Sequence, residues 1–230
     1  MSQCILEVNT ISKRFGGVKA LDRVSIKLNE GEVLALAGDN GAGKSTLIKI
    51  ISGVYTSDEG EISFNGRKIL NNNPNYSRNL GIETIYQDLA LADNLDVPSN
   101  IFLGREPIKK SLKFLHRLDR NFMYEQSVDV LESLKIEIPK SSLTQPVASL
   151  SGGQRQAIAI SRAIYWNAKI LIMDEPTAAL GVPEQRKVLE LIDTLKKSSI
   201  GIIFISHNPT IIDFCDTVFQ IEKGKLKVIF

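Results

Sequence analysis

The chain has 230 residues, 43% of them hydrophobic, and a formal net charge of +2. That length supplies one substantial core, or one domain with a smaller lobe, and the near-neutral charge argues against nucleic acid as a partner. The two cysteines, Cys4 and Cys215, lack metal or redox spacing and read as free thiols; no leader is visible and no uncharged apolar run nears the roughly 20 residues of a spanning helix, so the chain reads as soluble, with any membrane role carried by a partner.

Met1 to Thr10 reads as a strand with a charge in it. Val24 to Leu28 alternates apolar and polar, a half-buried strand, and Val33-Leu34-Ala35-Leu36-Ala37 is apolar throughout, a strand buried on both faces. Gly38 to Ser45 then fits G-x-x-x-x-G-K-[ST], and Leu47, Ile48, Ile50 and Ile51 give Ser45 to Ser52 helical spacing. Strand, loop and helix together are the context a phosphate loop needs. Glu61 to Phe64 followed by Asn65-Gly66 predicts a hairpin, and Ile82 to Tyr86 a further strand.

From about Asp88 to Ser161 the pattern turns helical. Helices are expected over Pro98 to Glu106, over Asp119 to Leu134 with Phe122, Val128, Leu131 and Leu134 on one face, and over Gly152 to Tyr165. Apolar strands return at Ile170 to Met173 and Gly201 to Ser206, separated by an amphipathic helix from Pro183 to Lys197. Val218 to Ile221 and Leu226 to Ile229 close the chain as a hairpin around Lys223-Gly224. The alternation argues for an α/β fold with a mostly parallel core sheet.

The chemistry follows from these positions. Backbone N–H groups of Gly38, Asp39, Asn40, Gly41, Ala42 and Gly43 can cradle phosphate oxygens, with the start of the next helix, through Thr46, behind them. Lys44 would neutralise the β- and γ-phosphates and Ser45 would ligate Mg²⁺. Ile170 to Met173 ends in Asp174 and Glu175: the first could hold Mg²⁺ through its water shell, the second could orient or deprotonate an attacking water. His207 and Gln87 each end a strand. His207 could hold the water and Glu175 in register, and Gln87 could touch both metal and water; a surface histidine and an ordinary polar strand end are the plain alternatives. Leu150-Ser151-Gly152-Gly153-Gln154 opens a helix with Ser151 as its N-cap, a second anion site far along the chain from the first. Phe15 could stack on a base or belong to the core.

The order phosphate loop, Gln87, Leu150 to Gln154, Ile170 to Glu175 and His207 resembles the ATP-binding subunit of an ABC transporter, over essentially the whole chain. The resemblance implies a P-loop NTPase fold in one domain: a nucleotide-binding core of residues 1–87 and 163–230 with an N-terminal antiparallel β portion, and a helical signature subdomain of about 88–162. It implies ATP and Mg²⁺ as ligands, ATP hydrolysis as the activity, and adenine stacking for Phe15. It also implies a head-to-tail dimer in which Ser151, Gly152, Gly153 and Gln154 of one subunit cap ATP on the phosphate loop of the other. Membrane permease subunits would be the partners, a sugar-binding protein would act indirectly, and the chain would sit on the cytoplasmic face of the membrane. Lys13 to Leu21, Asn100 to Glu106, Glu175 to Leu180 and Ile205 to Asn208 resemble monosaccharide importers of the ribose and fructose type.

Two departures stand out. The family's usual aspartate after Ala-Leu is Gly181 here, and many sugar importers join two such domains in one chain. The ending through Phe230 reads as complete, which favours self-pairing. The other reading is an ABC ATPase uncoupled from transport, as in iron–sulfur assembly. A P-loop GTPase or kinase has no use for Ser151 to Gln154, and the Asn-Lys-x-Asp guanine reader is missing.

Overall fold

The computed structural model describes residues 3–70, 72–109, 117–178 and 180–229. Met1, Ser2, Ala179 and Phe230, which enter the expectations above, lie outside the described residues. The strands are β1 (Cys4–Phe15), β2 (Val18–Asn29), β3 (Val33–Ala37), β4 (Glu59–Phe64), β5 (Arg67–Lys68), β6 (Ile82–Ile85), β7 (Ile108–Lys109), β8 (Arg117–Leu118), β9 (Ile170–Asp174), β10 (Gly201–Ile205), β11 (Thr217–Glu222) and β12 (Lys225–Val228). The helices are α1 (Lys44–Ile51), α2 (Pro74–Asn79), α3 (Val97–Ile101), α4 (Arg120–Ser133), α5 (Gly152–Tyr165), α6 (Val182–Lys197) and α7 (Pro209–Phe214).

Contacts divide the chain into two units: residues 1–87, 168–178 and 195–230 form one, residues 88–167 and 179–194 the other. The first holds two sheets. One is antiparallel, in the order β2-β1-β4-β5. Its β1 runs on past the expected Thr10 to Phe15, which pairs with Val18 across Gly16-Gly17. Asn65 and Gly66, both at positive φ, turn β4 into β5 as their sequence predicts.

The second sheet has the order β12-β11-β3-β10-β9-β6, with every neighbouring pair from β11 to β6 parallel and β12 antiparallel at the edge. Its central strands are the apolar runs of the sequence: Val33 to Leu36, Ile170 to Met173 and Gly201 to Ile205 are all buried. A strand covered on both faces has no polar side to alternate with, which is why these runs are continuous. Leu47, Ile48, Ile50 and Ile51 of α1 join the same core cluster, so the helix that follows the glycine loop is anchored by its apolar stripe.

The second unit is helical. Its aromatic nucleus sets Phe102 against Tyr165, ring centroids 4.7 Å apart, and Trp166, at 5.9 Å. Two expectations are corrected here. The helix predicted over Pro98 to Glu106 is only α3, because it ends at Phe102 and Gly104 turns to a φ of 77°. Of the predicted face of α4, Leu131 and Leu134 are buried, but the rest of the buried face carries Met123, Ser127 and Val130 in place of Phe122 and Val128, so it is rotated from the predicted one; Phe122 is exposed, in a T-shaped pair with Phe102, centroids 6.2 Å apart.

Candidate active site

Parallel pairing brings four of the predicted segments to one edge of the second sheet. The glycine loop follows β3, Ser206-His207 follows β10, Asp174 ends β9, and Gln87 lies two residues past β6. In strand order these are neighbours, and the carboxyl ends of parallel strands are where α/β sheets bind ligands.

The loop itself is built around glycine. Gly38 has a φ of 140° and its Cα faces β11 so closely that a Cβ would lie 2.2 Å from the Ile221 carbonyl oxygen. Gly43 has a φ of 117°, and a Cβ there would meet the Ala20 carbonyl oxygen at 2.6 Å. The far side of the loop is tied down as well, because Gly224 donates its N–H to the Ala42 carbonyl at 3.0 Å. Nothing in the sequence of the closing hairpin announces that it holds the loop.

Helix α1 begins at Lys44 with no side-chain cap on Gly43 and no acidic residue in its first turn. Its leading N–H groups, at Lys44, Ser45 and Thr46, and the positive end of its dipole therefore suit an anion. The Lys44 ammonium donates to the carbonyls of Gly38 and Asp39, the latter at 2.9 Å.

At the end of β9, Glu175 takes a φ of 48°, a left-handed conformation that costs a non-glycine residue about 1–3 kcal/mol. Its N–H donates to the Ile205 carbonyl at 2.8 Å, which holds the turn against β10. One carboxylate oxygen lies 2.7 Å from His207 Nδ1 and the other accepts from the Ser206 hydroxyl at 3.2 Å. Ser206 Oγ in turn accepts the Asn208 N–H at 3.1 Å. The sequence reading missed Ser206, though it stands directly before His207 at the strand end.

Burial pushes the Asp174 carboxyl above its ordinary value and the Glu175 charge adds to this, while Lys44 and Lys49 pull the other way. A carboxylate at the end of β9, with the Ser45 hydroxyl in the first turn of α1 and the Gln87 amide just past β6, offers hard oxygen donors. Such a set fits a small divalent cation that keeps part of its water shell.

Phe15 ends β1 with its ring exposed, in a T-shaped pair with Tyr55, centroids 5.4 Å apart, and with the Lys13 ammonium 5.6 Å from its ring centroid. Tyr55 follows α1 and donates its N–H to the Lys49 carbonyl at 2.9 Å. The exposure of Phe15 excludes the plain core reading, and an exposed ring is the kind of surface on which a base can stack.

The second unit holds the other glycine motif. Ser151 caps α5 in a reciprocal box: its Oγ accepts the Gln154 N–H at 3.3 Å, and Gln154 Oε1 accepts the Ser151 N–H at 3.0 Å. Ser151 and Gly152 are exposed, so the helix start they open faces solvent.

The profile of the ABC transporter family matches residues 21–178. The chain is 52% identical over 225 residues to the xylose/arabinose import ATP-binding protein XylG of Sulfolobus acidocaldarius, covering 96% of this chain and 86% of that relative. It is 46% identical over 224 residues to the fructose import ATP-binding protein FrcA of Rhizobium meliloti, with the same two coverages of 96% and 86%. The ribose import ATP-binding protein RbsA of Caldanaerobacter subterraneus is 42% identical over 96% of this chain, which spans only 44% of that relative's length. Among solved structures, a nucleotide-free ATP-binding cassette from an ABC transporter superposes with a TM-score of 0.83 at 30% identity, over 99% of this chain and 90% of that one. The ADP conformation of an ATP-binding cassette of an ABC transporter gives a TM-score of 0.83 at 30% identity, over 97% and 89%.

Proposed function

We propose, from the premise that this chain belongs to the ABC transporter family as an ATP-binding and hydrolysing subunit, that it powers the import of a monosaccharide through separate membrane subunits. The observation that carries the catalytic half of this reading is the hold of His207 and Ser206 on the two oxygens of Glu175. The import half rests on likeness to relatives named for xylose/arabinose, fructose and ribose import.

The mechanism assigns each group a task. The loop from Gly38 to Gly43 and the first turn of α1 receive the phosphates, and Lys44 leaves its loop carbonyls to neutralise the β- and γ-oxygens. Ser45, Asp174 and Gln87 would hold Mg²⁺, which when bound neutralises phosphate charge. Glu175 takes the proton of the attacking water, and His207 and Ser206 fix the carboxylate's direction while it does so. Phe15 stacks on adenine.

Ser151 to Gln154 then complete the site in trans. Two copies pair head to tail, and the α5 start of one closes on the γ-phosphate held by the other. Loss of that phosphate removes the shared ligand and lets the pair open, a population shift that the membrane subunits read. Among the described residues no helix is long and apolar enough to cross a membrane; the chain acts as a peripheral subunit on permease partners, and a sugar-binding protein delivers solute from the other side.

Reconstitution with the cognate membrane subunits tests the reading. ATP turnover should rise when a pentose or hexose is supplied with the binding protein. Turnover indifferent to every sugar would discard the monosaccharide assignment and leave the ATPase standing.

A further inference from the structure

Two glycines of the second unit face one side chain. A Cβ on Gly153, in the first turn of α5, would lie 3.0 Å from both Cβ and Cγ of Glu184. A Cβ on Gly181 would lie 2.6 Å from Glu184 Oε2. Neither glycine has a positive φ, so each supplies room rather than an unusual backbone. Gly181 is also where α6 starts, since its carbonyl accepts the Gln185 N–H at 2.9 Å. A glutamate in the first turn of a helix is favoured by the dipole. That explains an acid at 184 but not the space left for it by a glycine on a different helix. Ser151, Gly153, Gln154 and Glu184 line a common cleft of about 530 Å³.

We propose that Glu184 is a positioning residue for the Ser151–Gln154 turn: seated between Gly153 and Gly181, its side chain sets where the first turn of α5 stands against the start of α6. The proposal rests on the reading above, in which that turn closes the partner's ATP site. The contact is made by shape, through the methylenes against Gly153 and the carboxylate end against Gly181. Its consequence falls on turnover, because a group displaced by about 1 Å at a reacting centre can cost as much as 100-fold in rate.

The experiment uses the full chain assembled with its membrane subunits for turnover, and the isolated chain for binding of trinitrophenyl-ATP and for Tm. Glu184→Ala should lower kcat by about tenfold or more while leaving affinity for the analogue within about twofold. Glu184→Gln keeps the shape and should restore most of the loss. Gly153→Ala forces its methyl into Glu184 and should be slow, and adding Glu184→Ala to it should raise turnover above that of Gly153→Ala alone. Wild-type turnover in Glu184→Ala would overturn the proposal. So would a parallel fall of kcat, analogue affinity and Tm, or a double variant no faster than Gly153→Ala. A wild-type assembly that binds the analogue but never hydrolyses ATP would instead overturn the proposed function, and this positioning role with it.

Discussion

Glu175 and His207 meet at 2.7 Å because β9 and β10 are parallel neighbours in a register that sets Asp174 opposite Ile205. Beyond that pair each strand leaves the sheet, and the carboxylate of Glu175, one residue on, and the imidazole of His207, two residues on, turn toward one another. Glu175→Gln keeps the volume and removes the base. It should lower ATP turnover by at least about 100-fold, the lower range for losing a general base, while nucleotide binding persists. Phosphate release measures the first effect. Size exclusion with ATP should show a lasting dimer, and a monomer that ATP never pairs would count against closure in trans.

Gly38 offers a test of stability rather than chemistry. An alanine there would need a φ of 140° and would press its methyl to 2.2 Å from the Ile221 carbonyl. Either β11 or the loop must move. Gly38→Ala should cost roughly 2–4 kcal/mol in urea unfolding and should also weaken nucleotide binding, since the displaced atoms belong to the phosphate cradle. Gly41→Ala is the control, because its Cβ would meet nothing within 4 Å although its φ of 80° is also left-handed. It should lose less stability than Gly38→Ala.

The motifs were legible where chemistry demands a rigid residue order in one short stretch. Gly38 to Ser45, Ser151 to Gln154 and the acids after β9 are such stretches, and the apolar runs of β3, β9 and β10 could be read because burial on both faces leaves no polar positions. Contacts that cross the chain were not legible. Ile221 and Gly224 brace a loop some 180 positions away in sequence, a gap that no local pattern encodes. Ser206 looked like the end of a strand until pairing of β9 with β10 put Glu175 in its reach. Helix α2 was invisible for another reason: at six residues it shows no period, and its start is marked by two residues alone, Asn73, which accepts the Tyr76 N–H, and Pro74 at the first helical position. The rotated face of α4 reflects the same limit, since several apolar stripes fit one sequence and packing alone selects among them.

Asp174 predicts a pH dependence. Burial, then the neighbouring Glu175 charge, raises its folded-state pKa above the ordinary value of 3.8 that the unfolded chain retains. Below that ordinary value the group is protonated in both states and contributes nothing. As pH climbs from there through the raised value, the unfolded chain ionises first and the folded protein loses stability, in full above the raised pKa. Asp174→Asn removes the titration. Without nucleotide, the variant's advantage in urea midpoint over the wild type should grow as pH rises through this window and then level off. A constant difference across that range would contradict the raised pKa. Metal-dependent hydrolysis should be lost in the same variant.

Ser151 separates a cap from a catalyst. Its hydroxyl accepts the Gln154 N–H, and Gln154 returns the contact to the Ser151 N–H. Ser151→Ala breaks the first half of that box and should cost about 1 kcal/mol of stability, as removal of an N-cap does. Turnover should fall as well, by about tenfold or more if the turn stabilises charge on the transferring phosphate. Affinity of the isolated chain for nucleotide should hardly change, because the phosphate loop binds without this turn. Ser151→Asp distinguishes the two roles. Aspartate caps helices as well as serine does, so stability should return to the wild-type level. Its carboxylate would face the γ-phosphate of the partner's ATP, so turnover should stay low and ATP-dependent pairing should weaken. Recovery of both stability and turnover in Ser151→Asp would reduce the turn to a cap and leave the site in trans without its anion contact.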